Sequence, residues 1–412
     1  MKKIIKMVIA STMLCVIGGN IKDSAEREGI RGLREPFCET CFQADKEVLT
    51  VQAKADLQTR AKAAYLMDIS GNTVMYSHNE LQRLPIASMC KIMTLLLSFD
   101  AIKEGHIDIN EEICVSERAA SMGGSQVFLE ANAKYPVKEL IKSIVVCSAN
   151  DSCVAMAERI CGSESLFVEK MNEKAVKIGA GNTLFANCTG LPKEPQYSCA
   201  KDVAIMLKNL LQHEEYYEYG KVWMDKFSHP EGRYTEISNT NKLVRFYDGC
   251  DGGKTGFTNE AGFCLAATAK RDDTRVISVV IGEENSTNRF EDVKTMFNYA
   301  FANYKNTLIA EKEVPLTDTV EVNGGKEKTV SIAPARTAYV LEKRGEKGDI
   351  TTCVHCNPIK APIERGATVG EMIVFKNGVE IDRVPLIACE TVEKANWFDC
   401  LQDIAQEWNA RN

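Results

Sequence analysis

The sequence predicts an α+β protein, in which an antiparallel sheet packs with a helical cluster and a small β-rich domain follows. Two strand-like runs lie early, between residues 64 and 76, around the hairpin turn Ser70-Gly71-Asn72. Two more lie late, between residues 262 and 282, and are joined by Arg271-Asp272-Asp273. Helical periodicity fills the interval between them. We therefore expect early and late strands to form one sheet, with the helices inserted between them.

The predicted helices share apolar residues at spacings of three and four, which place one face of each helix in the core. A helix break is predicted at Ser148-Ala149-Asn150, between two such segments. The predicted helical segments are residues 85–97, 137–147, 154–160, 164–178, 200–212 and 289–304.

Changes in residue pattern along the chain predict its division into domains. Residues 46–305 form the main domain, and residues 312–390, where short β-like runs alternate with turns, form the β-rich domain. Residues 393–412 form a C-terminal amphipathic helix. Its apolar stripe fits a membrane surface, whereas its acidic polar face favours packing on the β-rich domain or on a partner. Of the two, we expect the membrane surface.

The N-terminus and the overall charge indicate where the protein acts. Residues 1–19 are typical of a secretory signal peptide, with three early lysines, an apolar stretch and Gly18-Gly19 at its end. Residues 20–45 have mixed charge and no periodicity, which predicts a flexible leader. The 50 basic and 57 acidic residues give a net charge of -7, which argues against a nucleic-acid-binding protein. We therefore expect an exported protein.

The chain contains 16 cysteines, and most of them stand singly at apolar positions, where a thiol packs like a small hydrophobic group. Cys38 and Cys41 form one Cys-x-x-Cys pair, and Cys353 and Cys356 form another. Together these pairs have the ligands of a zinc site, but they lie at opposite ends of the chain. Local disulfides or free thiols are favoured, and we predict no metal ion and no cofactor.

Ser88 and Lys91 provide a nucleophile next to a base. Three residues apart on a helix, they share one face. Lys91 begins an apolar helix, where desolvation would lower the pKa of its amine and let it accept the serine proton. Such spacing is weak evidence alone, because Ser198 and Lys201 repeat it; we interpret Ser198 as an ordinary helix cap.

Two further motifs follow in order. At the helix break, Ser148 could relay a proton to a leaving amine, and Asn150 could hydrogen-bond a substrate backbone. On a predicted strand, Lys254 could attract a carboxylate, Thr255 could hydrogen-bond it, and Gly256 leaves room for substrate at the strand edge. An edge strand can also supply a backbone N–H to an oxyanion hole together with that of Ser88.

These three motifs resemble those of the low-molecular-mass penicillin-binding proteins, the serine-type D-alanyl-D-alanine carboxypeptidases. Other segments match as well, notably Gly123-Gly124-Ser125-Gln126 and Thr189-Gly190-Leu191-Pro192. The chain departs from the pattern where Cys188-Thr189 replaces the histidine that often precedes the Gly-Leu-Pro segment.

The resemblance implies a penicillin-binding/β-lactamase-like catalytic domain over residues 46–305. It implies that Ser88, Lys91, Ser148 and Asn150 are catalytic and that Lys254, Thr255 and Gly256 bind the substrate. The expected partners are peptidoglycan stem peptides ending in D-Ala-D-Ala, β-lactam antibiotics and, through the C-terminal helix, a membrane surface. The expected location is the cell wall or the outer face of the cytoplasmic membrane.

Two alternatives stay open. A β-lactamase would share the acylation step, but its deacylating base belongs to a Glu-x-x-Leu-Asn segment, and this chain contains no Leu-Asn dipeptide. A non-catalytic wall-binding protein could keep the fold, but the three intact motifs argue against it.

Overall fold

The computed structural model describes residues 57–346, 348–399 and 401. The predicted signal peptide, the leader and most of the predicted C-terminal helix lie outside the described residues. Residues 397–399 and 401, at the start of that helix, are helical. Within the described part of the chain, no helix combines the length and the apolar character needed to cross a bilayer.

The main region contains the predicted strands and helices in the predicted order, together with short elements whose patterns are too brief to detect in the sequence. Its strands are β1 (Ala63–Asp68), β2 (Thr73–His78), β3 (Glu112–Cys114), β4 (Lys134–Pro136), β5 (Met224–Ser228), β6 (Tyr234–Ser238), β7 (Cys250–Thr258), β8 (Gly262–Arg271) and β9 (Thr274–Glu283). Its helices are α1 (Lys91–Lys103), α2 (Glu117–Ala120), α3 (Val137–Val146), α4 (Asn150–Cys161), α5 (Glu164–Lys177), α6 (Ala200–Leu210), α7 (Tyr216–Gly220), α8 (Leu243–Phe246) and α9 (Ser286–Asn303).

Early and late strands form one antiparallel sheet in the order β2-β1-β9-β8-β7, which confirms the predicted α+β class. In this sheet Ala63 of β1 lies opposite Ile281 of β9. The segment between β2 and β7 contributes the inserted helices. Since β7 pairs only with β8 among the described strands, it is an edge strand with one free side.

Alternation of side chains across the sheet gives two apolar layers. On one face Ala266 and Val279 pack in the same core as α1 and the inserted helices. On the other face Leu265 and Val280 pack in a second core with α9. Helix α1 is buried on every side, and each fully buried leucine in it contributes about 2 kcal/mol relative to exposure. The first of these layers therefore includes the helix that begins at Lys91.

The β-rich region follows α9. Its strands are β10 (Tyr304–Ala310), β11 (Thr319–Asn323), β12 (Thr329–Pro334), β13 (Ala338–Lys343), β14 (Ile350–Cys356), β15 (Ile359–Lys360), β16 (Thr368–Lys376) and β17 (Val379–Ala388). Six of them form a sheet in the order β14-β16-β17-β12-β11-β15, and β10 pairs with β13. A hairpin turn at Asn377-Gly378 connects β16 to β17, with both residues in the left-handed region that such a turn requires.

Cys353 and Cys356 are free thiols on β14, so a local disulfide between them is the wrong interpretation. Cys38 and Cys41 lie outside the described residues. Among the residues that the structure describes, no group of His, Cys, Asp or Glu side chains could hold a metal ion.

Glu283, at the end of β9, predicts a pH-dependent stability. Its side chain is almost fully buried, and its two carboxylate oxygens lack a hydrogen-bond donor among the described groups. Burial, and secondarily the neighbouring Asp292 carboxylate, raise the pKa of Glu283 to about 8. Between the ordinary value for glutamate and pH 8, the native state keeps a proton that the unfolded chain releases. The free energy of unfolding therefore falls as the pH rises through this range.

Substitution Glu283→Gln removes this titration. We expect the variant to match the wild type near pH 4.5 and to exceed it in stability by on the order of 2 kcal/mol at pH 8.5. Denaturant unfolding at several pH values measures the difference, and Glu284→Gln, at the exposed neighbouring position, is the control. Parallel pH curves for wild type and Glu283→Gln would contradict the assignment.

Candidate active site

Ser88 and Lys91 lie at the junction of a 3-10 turn and α1. The turn covers Ala87–Cys90, and the α-helix begins at Lys91 rather than upstream of Ser88 as predicted. The two side chains still share one face, and Lys91 Nζ donates to Ser88 Oγ over 2.9 Å. Lys91 is fully buried whereas Ser88 is half-buried, so the hydroxyl is accessible and the amine is not.

The carbonyl oxygen of Thr189 is the second partner of Lys91, at 2.5 Å from Nζ. This carbonyl is positioned by Asn187, whose Oδ1 accepts the backbone N–H groups of Thr189 (3.1 Å) and Gly190 (2.7 Å). Gly190 has a φ of 81°, and a Cβ there would lie 2.0 Å from the carbonyl oxygen of Ala87. Only glycine fits this contact between the loop and the 3-10 turn.

Lys254 is the second buried lysine of the site, on edge strand β7. Burial of the ammonium group lowers the pKa of Lys91. Burial, and then repulsion from Lys91, lower the pKa of Lys254 well below its usual value. Desolvation is thus the main cause for both groups. Repulsion acts equally on both partners, so it disfavours the state in which both amines are charged.

The first and third motifs meet at Gly256. A Cβ at this position would lie 2.6 Å from the carbonyl oxygen of Ile86 and 3.3 Å from the backbone nitrogen of Ser88. Strand β7 therefore approaches the backbone at Ser88 too closely for a side chain at position 256, which explains the glycine.

Thr255 links the third motif to the second. Its Oγ1 donates to Thr240 Oγ1 over 2.8 Å, and the N–H of Thr240 donates to the carbonyl oxygen of Val146 over 3.0 Å. Val146 ends α3, two residues before Ser148. Three segments distant in the sequence therefore meet at one site.

The second motif carries buried polar atoms with unused hydrogen-bonding capacity. Ser148 adopts a left-handed backbone (φ 66°), and its Oγ, like Asn150 Oδ1, has no partner among the described groups. The side-chain amide of Asn150 is held in its orientation through its nitrogen, because Nδ2 donates to the carbonyl oxygen of Gly123 over 2.7 Å. A buried hydroxyl and amide oxygen without partners are suited to a bound substrate.

A comparison with protein families decides the identity of this arrangement. A family model described as D-alanyl-D-alanine carboxypeptidase matches residues 49–285. The chain belongs to the D-alanyl-D-alanine carboxypeptidase family. Residues 304–394 match a second model, the C-terminal domain of penicillin-binding protein 5. Both matches confirm the resemblance, and the family consists of serine peptidases, which are hydrolases.

Individual members of the family cover almost the whole described chain. D-alanyl-D-alanine carboxypeptidase DacF of Bacillus subtilis is 38% identical over 86% of this chain and 91% of its own length. DacC of Escherichia coli is 30% identical over 89% of this chain and 91% of its own length. The crystal structures of penicillin-binding protein 5 from Haemophilus influenzae match with a TM-score of 0.68 at 27% identity, over 82% of this chain and 98% of that one.

Several residues that position this carboxypeptidase-like site were missed in the sequence. Asp151 is fully buried, and its carboxylate accepts the backbone N–H groups of Val127 (3.1 Å), Leu129 (3.1 Å) and Ser152 (2.9 Å). It thereby fixes the loop that follows Gly123. The only local signal was an acidic residue in the first turn of a helix, which is commonplace.

Arg289 of α9 was also missed. Its Nη1 donates to the carbonyl oxygens of Gly256 (3.2 Å) and Cys264 (3.4 Å), so it supports β7 from the face opposite α1.

The interpretation of Ser198 as a helix cap was wrong. Ser198 does not cap α6, because the cap position is Cys199; the Ser198 hydroxyl pairs with Thr183 instead, at 2.8 Å.

Proposed function

We propose that this chain removes the terminal D-Ala from peptidoglycan stem peptides ending in D-Ala-D-Ala, through an acyl-enzyme on Ser88, and that β-lactams acylate the same residue. The contact between Lys91 Nζ and Ser88 Oγ, at 2.9 Å beside the Lys254 strand, carries the proposal. It pairs an accessible hydroxyl with an amine whose burial favours the neutral, basic form.

In the acylation step, neutral Lys91 accepts the proton of Ser88 as Oγ attacks the carbonyl carbon of the scissile peptide bond. The backbone N–H of Ser88 and one from the outer edge of β7 stabilise the oxyanion. The intermediate collapses when the amine of the leaving D-Ala gains a proton, which Ser148 relays. Asn150 holds the peptide backbone. Water then hydrolyses the ester, with the same amine as general base.

The substrate itself helps to set the protonation states. Its terminal carboxylate binds at Lys254 and Thr255, where it stabilises the charged form of Lys254. Recognition of the free carboxylate therefore depends on a buried lysine that is charged in the complex.

Lys254→Gln tests this function. A charged pair in a partly desolvated cleft contributes on the order of 2–3 kcal/mol, so kcat/KM for an acyl-D-Ala-D-Ala peptide should fall by about 30–150-fold. Release of D-Ala and covalent labelling by penicillin measure the effect. For the same peptide with an amidated C-terminus, the substitution should lower kcat/KM far less, because this peptide carries no charge to recognise.

Lys208→Gln is the matched control, because burial also lowers the pKa of this lysine, which lies on α6 and pairs with Asn72. It should leave turnover unchanged. Equal losses on free-acid and amidated peptides would overturn the recognition role of Lys254. Steady hydrolysis of penicillin by the wild type would support a β-lactamase instead.

We further propose that the chain acts outside the cytoplasm, in the cell wall or at the outer face of the cytoplasmic membrane. Its substrate is a wall peptide, and residues 1–19 have the pattern of an export signal. The C-terminal helix would rest on the membrane surface. A chain truncated after residue 392 should then fail to sediment with vesicles that retain the full-length protein.

A further inference from the structure

Phe257 directly follows Gly256 on β7, and 51% of its surface is exposed. The ring stacks on Phe263 of β8, with 4.3 Å between the centroids and 30° between the planes. The guanidinium of Arg289 lies 5.4 Å from the centroid of the Phe263 ring. The pair is thus held in place while one ring stays open to solvent. An exposed, positioned aromatic ring beside a cleft is typical of a ligand contact.

The location of the ring on an edge strand determines what can reach it. An extended peptide can add to a free strand edge through main-chain hydrogen bonds, while its side chains are read by neighbours on the same face. Opposed side chains in such a pair lie about 5 Å apart, within contact distance of a phenyl ring. Phe257 lies on the α9 face of the sheet with Phe263, whereas Gly256 faces Ser88.

The direction of a bound peptide follows from the proposed function, on which this inference rests. The terminal carboxylate lies at Lys254 and Thr255, and the reacting carbonyl lies at Ser88, next to Gly256. The residues that precede the scissile bond therefore continue past Gly256 towards Phe257. The peptide runs antiparallel to β7.

We propose that Phe257, supported by Phe263, forms a specificity subsite that takes the side chain of the residue preceding D-Ala-D-Ala. The subsite binds a long aliphatic or an aromatic group lying flat on the exposed ring, and it contributes little when that side chain is short. In a penicillin, the acylamino side chain occupies the same place, because it lies on the same side of the reacting carbonyl.

The test compares the Phe257→Ala variant with the wild type in their acylation by two penicillins. Benzylpenicillin carries a phenylacetyl side chain, and 6-aminopenicillanic acid carries none. We expect the second-order acylation rate constant to fall about tenfold for benzylpenicillin and by less than about twofold for 6-aminopenicillanic acid. For peptides, kcat/KM should fall about tenfold for diacetyl-Lys-D-Ala-D-Ala and little for acetyl-Ala-D-Ala-D-Ala.

Two further variants serve as controls for this test. Phe257→Leu keeps an apolar surface and should retain an intermediate rate with benzylpenicillin. Phe398→Ala removes another exposed ring, stacked on Trp397 near the C-terminus, and should change neither rate. Equal losses with both penicillins, or a loss with neither, would overturn the subsite. A wild-type chain that neither compound acylates would overturn the proposed function, and the subsite with it.

Discussion

Replacement of Ser88 by alanine is expected to abolish covalent labelling by penicillin and to reduce D-Ala release by at least about a thousandfold. The reason is chemical, since no acyl-enzyme forms without the nucleophilic oxygen. The hydroxyl is half-buried and its hydrogen bond is to Lys91, so the fold should be retained. Gel fluorescence with a labelled penicillin measures acylation, and thermal unfolding checks the fold.

Ser198→Ala is the matched control, because Ser198 has the same spacing to a lysine but is fully buried and paired with Thr183. Its labelling should equal that of the wild type. Labelling that persists in Ser88→Ala, or that maps to a peptide containing Ser198, would contradict the assignment of the nucleophile.

Replacement of Lys91 by arginine is expected to lower the acylation rate constant by about 10²–10⁴-fold, the usual contribution of a general base. A guanidinium keeps the charge but does not release its proton at usable pH. In the wild type, burial lowers the pKa of Lys91, and the proposed mechanism uses the neutral amine. Acylation should therefore rise with pH and reach a plateau below the usual pKa range of lysine, and the variant should lose this rise.

Arginine is bulkier than lysine in this fully buried position, so a second variant is needed. Lys91→Ala leaves a space that a small amine such as methylamine can enter. Added amine should restore part of the acylation in Lys91→Ala and none in Ser88→Ala. Near-normal acylation by Lys91→Arg, or no rescue of Lys91→Ala, would show that the base lies elsewhere.

Local sequence patterns were enough to predict those features of the site that depend on residues close together in the chain. The spacing of Ser88 and Lys91 predicts a shared face, and that holds even though the α-helix begins three residues later than Ser88. The residues around Lys254 predict a strand, and its edge position follows from the order of the strands. These features survive small errors in element boundaries, because periodicity is a short-range property.

Contacts between segments that are distant along the chain could not be predicted from the sequence. Thr189 departs from the family pattern in the sequence. Only the structure shows that its carbonyl oxygen accepts a hydrogen bond from Lys91. The apolar helix that begins at Lys91 predicts desolvation of its amine, and burial is the main cause of its lowered pKa. The burial of Lys254 beside it depends on the packing of whole layers, which no local motif encodes.

The pairing of β1 with β9 also constrains when the protein can fold. Ala63 leaves the ribosome long before its partner Ile281, and until then β1 has only β2 beside it. An isolated hairpin is marginally stable in water, and pairing between such distant segments forms slowly. A nascent or truncated chain that ends before Thr274 therefore carries an apolar strand with an open edge, which makes it prone to aggregation until β9 arrives.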